Sequence, residues 1–181
     1  MAQLDKKEIV KMRKRAFDAH FYGKNLESIK LCNELLEIDP NPGLVYSYRA
    51  CAYIGLKDYE QAIADCNKAI ELYPTYSEAY NNRGWAYLEM GNYEQAVIDC
   101  SEAIKRKKNN HIAYINRGAA YMDLKQYEQA IEDFTQAIEF KPREELASLT
   151  YYNRGECYKA LGETAKAQAD FVKAKQLGYK S

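Results

Sequence analysis

The sequence predicts an all-α solenoid, a stack of five helix-turn-helix units, and three observations predict it. The tetrapeptide Tyr-Glu-Gln-Ala recurs at Tyr59, Tyr93 and Tyr127, 34 residues apart each time (93 − 59 and 127 − 93). The tripeptide Asn-Arg-Gly ends at Gly84, Gly118 and Gly155, the first two at the same interval. Small and aromatic residues hold fixed places within each period. A period of this length marks a repeat array, in which each unit is a helical pair unable to bury its apolar face alone.

Aligned on the small residue of the first helix (A) of each pair, the units span 9–42, 43–76, 77–110, 111–144 and 148–181 of a single domain, residues 1–181. Unit 1 matches least well, with Met12 at position 4, Ala16 at 8, Ala19 at 11, Ser28 at 20 and Leu35 at 27. Unit 2 sets the pattern with Tyr46, Ala50, Tyr53, Ala62 and Ala69. Units 3 and 4 repeat it with Tyr80, Gly84, Tyr87, Ala96 and Ala103, then Tyr114, Gly118, Tyr121, Ala130 and Ala137. Unit 5 has Tyr151, Gly155, Tyr158, Ala167 and Ala174. Small residues at 8, 20 and 27 let the two helices approach closely, while aromatics at 4, 11 and 17 fill the spaces between them. Pro40, Pro74 and Pro142 fall at position 32, where they end one helix and start the next.

Two departures carry information. Glu145, Leu146 and Ala147 are extra, and because three residues make nearly one helical turn they are read as lengthening the last A helix at its start. In unit 5 the apolar position 21 (Ile63, Val97, Ile131) becomes Gln168, and position 28 (Ile70, Ile104, Ile138) becomes Lys175. A polar outward face is expected to end the array there, with some risk of weak end-to-end self-association.

Composition narrows the function classes. With 26 basic and 26 acidic residues the chain has no net charge, so no global field draws it to nucleic acid or membrane. No apolar run approaches the roughly 18–20 residues of a membrane span. The start, Met-Ala-Gln-Leu-Asp-Lys-Lys-Glu, does not read as a signal peptide, and five cysteines then suggest reduced thiols in a cytoplasmic setting. Cys32, Cys66 and Cys100 share position 24, an apolar slot held by Phe134 and Phe171 in units 4 and 5. Successive copies about one helix-packing distance apart cannot form disulfides, and His20 and His111 complete no ligand pattern. No cofactor or metal is expected. The glycines form no phosphate loop and Ser28 beside His20 is weak grounds for a nucleophile and base, so an enzyme is not expected.

Arginine at position 7 and aspartate at position 23 recur 16 apart as Arg49/Asp65, Arg83/Asp99, Arg117/Asp133 and Arg154/Asp170, whereas unit 1 has Arg15 and Leu31. Across a helical hairpin such a pair reads as a bidentate strut. Lys105-Arg106-Lys107-Lys108 and the stretch Lys11, Arg13, Lys14 and Arg15 are the two basic patches that suit phosphate contact, and solvation is the simpler reading of both.

The position pattern over 9–181 resembles the tetratricopeptide repeat family. The resemblance implies a right-handed superhelix of helix pairs whose A helices line a concave groove through positions 2, 5, 6, 9, 12 and 13. Position 6 carries Asn82, Asn116 and Asn153, matching the asparagine ladder with which peptide-binding members bracket an extended backbone, while Lys14 and Tyr48 depart from it. Position 9 places the only tryptophan, Trp85, where the core is not expected to need it. With Phe17, Tyr48 and Tyr152 it makes an aromatic surface suited to a partner. The basic-and-asparagine clamp with which some members hold a chaperone C-terminal tail is matched from no starting unit; the third gives Asn81, Trp85, Asn116, Leu149 and Asn153. The function implied is a non-enzymatic protein-interaction scaffold or adaptor holding an extended segment in its groove. The alternatives are a structural subunit that self-associates or docks through convex or end surfaces and, more weakly, an RNA-associated scaffold.

Overall fold

The computed structural model describes residues 6–39 and 41–180, and among them every regular element is an α-helix. Pro40, expected to separate the first two units, lies outside the described residues. The helices follow one another as α1 (Lys6–Phe21), α2 (Asn25–Leu36), α3 (Pro42–Gly55), α4 (Tyr59–Leu72) and α5 (Ser77–Glu89). They continue as α6 (Tyr93–Arg106), α7 (His111–Asp123), α8 (Tyr127–Glu139), α9 (Glu144–Ala160) and α10 (Thr164–Gln176). Odd-numbered helices are the A helices. Each touches its B partner, the preceding B helix and the next A helix, whereas no B helix touches the next B helix among the described residues. The A helices therefore form the inner layer of a curved stack. Residues 145–147 lie within α9, which has 17 residues where α5 and α7 have 13.

Local chemistry sets the ends of the hairpins. Position 15, the turn between A and B, has φ of 74° at Gly23, 77° at Gly91 and 77° at Gly162, the left-handed conformation that closes a helix C-terminus. Lys57 and Lys125 adopt it too, at φ 62° and 61°, at some steric cost. Asp58 and Asn110 cap α4 and α7 by accepting from Gln61 N and Ala113 N.

Position 8 is small because position 24 faces it. A Cβ on Gly118 would stand 2.8 Å from Phe134 Cε1, and one on Gly155 2.6 Å from Phe171 Cε1. The cysteines of position 24 are this packing partner in smaller form: Cys32, Cys66 and Cys100 are fully buried, and burial pushes the Cys32 thiol up to about 12.

All four arginine–aspartate struts are bidentate, with nitrogen–oxygen distances of 2.7–2.8 Å. Each arginine also donates a third hydrogen bond to the preceding B helix, to Asn33, Asn67, Ser101 or Thr135 at position 25. One side chain thus fixes both its own hairpin and the junction with the unit before. Unit 1, read as lacking a strut, has a different one: Arg13 Nε donates to Asp39 Oδ2 at 2.5 Å, from helix A to the loop before α3. Burial raises the Asp39 carboxyl, but the Arg13 hydrogen bond and the Asn41 backbone N–H outweigh it and hold the group below its usual range.

Candidate functional site

On the concave side α1, α3, α5 and α7 enclose a cavity of about 420 Å³ walled by Phe17, Tyr48, Tyr76 and Trp85. Phe17 is 47% exposed and meets Tyr48 edge-on at 5.6 Å between ring centroids. A second cavity of about 830 Å³ shares Phe17, Phe21, His111 and Ile112 with the first and runs on to Pro142 and Leu146 at the start of α9. There the Arg143 guanidinium lies over the Phe21 ring at 5.1 Å. The two cavities together therefore run from α1 to the start of α9.

The seven residues singled out from the sequence are not equivalent. Phe17 and Tyr48 wall the groove. Trp85 walls it too, yet the core does use this residue: part of the indole packs against the cluster of Ala50, Ile54, Ala62, Cys66 and Ala86, and Nε1 donates to Glu89 Oε1 at 3.3 Å. Asn82 is buried, its Nδ2 donating to Ser47 Oγ at 3.0 Å and its Oδ1 accepting from Asn81 Nδ2 at 3.4 Å. Asn116 Nδ2 donates to Asn81 Oδ1 at 3.1 Å. These amides thus form a relay, Asn116 to Asn81 to Asn82 to Ser47, tying α7 to α5 and α5 to α3. The Asn116 carbonyl oxygen is half-buried and the Asn153 side chain has no hydrogen-bond partner among the described residues, and neither residue lines the two cavities, whereas Asn81 and Asn82 line the first. Tyr152 stands apart, stacked on Tyr179 at 4.1 Å and tilted against Phe171 at 5.6 Å. Reading by position met Asn81 only in the unmatched clamp and gave Ser47 and Tyr76 no role; the polar run of Asn81 beside Asn82 was the signal.

The charge of the basic run is largely spent within the fold. Arg106 donates to Pro74 O at 2.7 Å and to the Tyr80 hydroxyl at 2.8 Å, and its guanidinium lies over the Tyr80 ring at 3.8 Å. Lys107 pairs with Glu78 at 2.7 Å and Lys105 approaches Glu102 at 3.7 Å. The basic run thus mainly ties unit 3 to itself, against the phosphate reading. Burial, helped by Lys107, holds His111 below its ordinary value, so it faces the groove as a neutral ring at neutral pH. Burial pushes the Cys51 thiol up to about 12, so a thiolate nucleophile is disfavoured there. Ser28 is buried and donates to Ala16 O at 2.8 Å, while His20 shares its Nδ1 with Asn25 Oδ1 at 3.0 Å, which separates that pair. No group of three or more His, Cys, Asp or Glu among the described residues could hold a metal ion, and no described helix is long and apolar enough to cross a membrane. The arrangement offers aromatic faces and a few amide groups, the chemistry of side-chain and backbone recognition.

Family models described as tetratricopeptide repeat match residues 44–76 and 111–144, residues 66–98, and residues 149–177. No curated protein sequence is matched. Among solved structures, MamA from Desulfovibrio magneticus RS-1 superposes with a TM-score of 0.74 at 21% identity, over 97% of each chain. A crystal structure of MamA gives 0.72 at 23% identity, over 90% of this chain and 93% of that one. The APC/C hetero-tetramer Cut9–Hcn1 gives 0.84 at 17% identity, over 94% of this chain but 34% of the matched one. At these identities the likeness is one of fold.

Proposed function

Because the chain belongs to the tetratricopeptide repeat family, we propose that it is a non-enzymatic scaffold or adaptor that holds an extended protein segment in its concave groove. The observation that carries the reading is the aromatic wall of Phe17, Tyr48, Tyr76 and Trp85 around a cavity of about 420 Å³. Large amphipathic rings in a concave site supply most of the binding energy of a short segment at low entropic cost. Asn116 and Asn153, which line neither cavity, are read as meeting its backbone further along the concave side because their amides keep free hydrogen-bonding capacity; Asn82, which lines the cavity but is committed to Ser47, holds the wall in place instead. Tyr152 belongs to a separate surface. Five unpaired cysteines, four of them buried, fit a reducing compartment such as the cytoplasm.

The single tryptophan makes a direct test possible. Peptides selected against the protein from a random display library should shift Trp85 emission on titration and lose at least about tenfold in affinity against Phe17→Ala, which removes an exposed ring. Selected peptides that leave Trp85 emission unchanged and bind Phe17→Ala equally well would refute the groove.

A further inference from the structure

The array itself shows what the outer face of a unit takes. In units 1 to 4 that face receives the next A helix by a repeated set of contacts. Position 28 packs beside position 3 of the incoming helix, as Ile104 does near Ala113. Position 25 accepts from the arginine at position 7. Positions 21 and 24 meet position 10, as Ile63 and Cys66 meet Ala86, and Ile131 and Phe134 meet Cys157. Positions 3, 7 and 10 stand at i, i+4 and i+7, one stripe of a helix.

On unit 5 no further helix covers the same face among the described residues, and its chemistry is changed at three of the four contacts, Phe171 keeping position 24 as Phe134 does. Position 28 is Lys175, position 25 is Val172 (46% exposed) and position 21 is the exposed Gln168. A cavity of about 490 Å³ lies beside them, walled by the rings of Tyr152, Phe171 and Tyr179 and edged by Glu156, Lys175 and Lys180. Glu156 pairs with Lys159 at 3.6 Å, while neither Lys175 nor Lys180 has a carboxylate partner among the described residues. Another tetratricopeptide A helix does not suit this face, since its position-7 arginine would meet Val172 in place of a polar acceptor. The α1 helix of a second copy suits it less, offering Lys11 against Lys175 and Arg15 against Val172.

We propose that the outer face of the last unit is a docking slot for a helix of another protein that presents a carboxylate, an aliphatic residue and a small residue at i, i+4 and i+7. The carboxylate answers Lys175 and Lys180, the aliphatic side chain covers Val172, and the small residue lets the helix close on Phe171 and Gln168, as Ala86 does on Cys66. This site is separate from the groove.

The probe is a fluorescein-labelled, stapled alanine–glutamine peptide of about 15 residues carrying Glu, Leu and Ser at i, i+4 and i+7, with a second peptide bearing Lys in place of the Glu. Fluorescence anisotropy on the full chain should show saturable binding of the Glu peptide that weakens at least about tenfold with Lys175→Glu and with Val172→Asp. The Lys peptide should prefer the Lys175→Glu protein, a charge-swap rescue that a folding defect cannot produce. Phe17→Ala should leave this binding intact, which separates it from the groove. Absence of saturable binding below about 1 mM, or affinity indifferent to both Lys175 and Val172, would overturn the proposal. So would a self-associating chain whose dimer is lost with either Lys175→Glu or Ile98→Asp. The exposed Glu94 and Ile98 of α6, with the half-buried Ser101, carry the same spacing, and that result would assign the slot to a second copy.

Discussion

Replacing Asp99 with alanine tests whether the arginine–aspartate struts hold the array together. Arg83 gives Asp99 two hydrogen bonds of 2.7 Å and Asn67 a third of 2.6 Å, and the Asp99 side chain is 1% exposed against 20% for Arg83. Breaking a buried pair by removing one partner costs about 3–5 kcal/mol, because the surviving charge is left without compensation. Arg83 keeps Asn67 and some access to water, which places the cost near about 3 kcal/mol. In a chain of this size about 1 kcal/mol moves the melting temperature by roughly 2–4 °C, so Asp99→Ala should melt about 6–12 °C lower by circular dichroism. The double variant Arg83→Met/Asp99→Leu should recover most of that loss. Burial at the equivalent Asp65 and Asp133 raises those carboxyls against the pull of Arg49 and Arg117, the desolvation penalty that offsets much of the attraction in such a pair. As a control, Glu71→Ala removes the exposed Lys68–Glu71 pair, 2.8 Å long, and should not move the melt. An Asp99→Ala melt within about 1 °C of wild type would refute the strut.

Other substitutions address the turns, the packing and the titrating groups. Lys57→Gly or Lys125→Gly relieves a left-handed conformation at φ 62° or 61° and should stabilise by up to about 1 kcal/mol in urea melts, while alanine at either site should not. Gly118→Ala should destabilise by about 1–2 kcal/mol, because the clash with Phe134 at 2.8 Å outweighs the helix-propensity gain. Adding Phe134→Cys recreates the Ala50/Cys66 arrangement, so the double-mutant cycle should show favourable coupling; additivity would disprove the pairing. The depressed Asp39 carboxyl contributes stability that is present above its unfolded pKa of about 4 and is lost as pH falls through the lower folded value. Arg13→Gln should therefore flatten the acid limb of the stability profile. Iodoacetamide should label the native protein slowly and first at Cys51, the one cysteine not fully buried, and a groove-bound peptide should slow it further.

The fold was legible because each unit repeats its own solution. Gly118 opposite Phe134 and Arg83 opposite Asp99 satisfy requirements internal to one hairpin, so they recur at a fixed spacing and can be read from one sequence. Contacts between units are legible only where they are also periodic. The Asn33, Asn67, Ser101 and Thr135 series at position 25 varies in residue type while keeping one role, acceptance from the next arginine, and so it escaped notice. Arg13–Asp39 breaks the spacing altogether, since it joins helix A of the first unit to the loop before α3 and not to its own B helix.

The candidate site was legible in part, for a reason that bears on how such grooves acquire ligands. The family resemblance puts position 6 on the concave side, but whether its amide is free or held by a neighbour depends on the residue at position 5 of the adjoining helix. Ser47 and Asn81 at position 5 capture Asn82 and Asn116, whereas Ile115 before Asn153 offers no side-chain hydrogen-bonding group. A change at position 5 would therefore release or silence a ligand-facing amide without touching the amide itself. Asn81→Ala should free Asn116 for a groove-bound peptide while weakening the junction between α5 and α7. The expected outcome is tighter peptide binding with a lower melting temperature, the two effects having opposite signs. A loss of affinity in step with the loss of stability would mean that the relay positions the wall and that Asn116 is no contact at all.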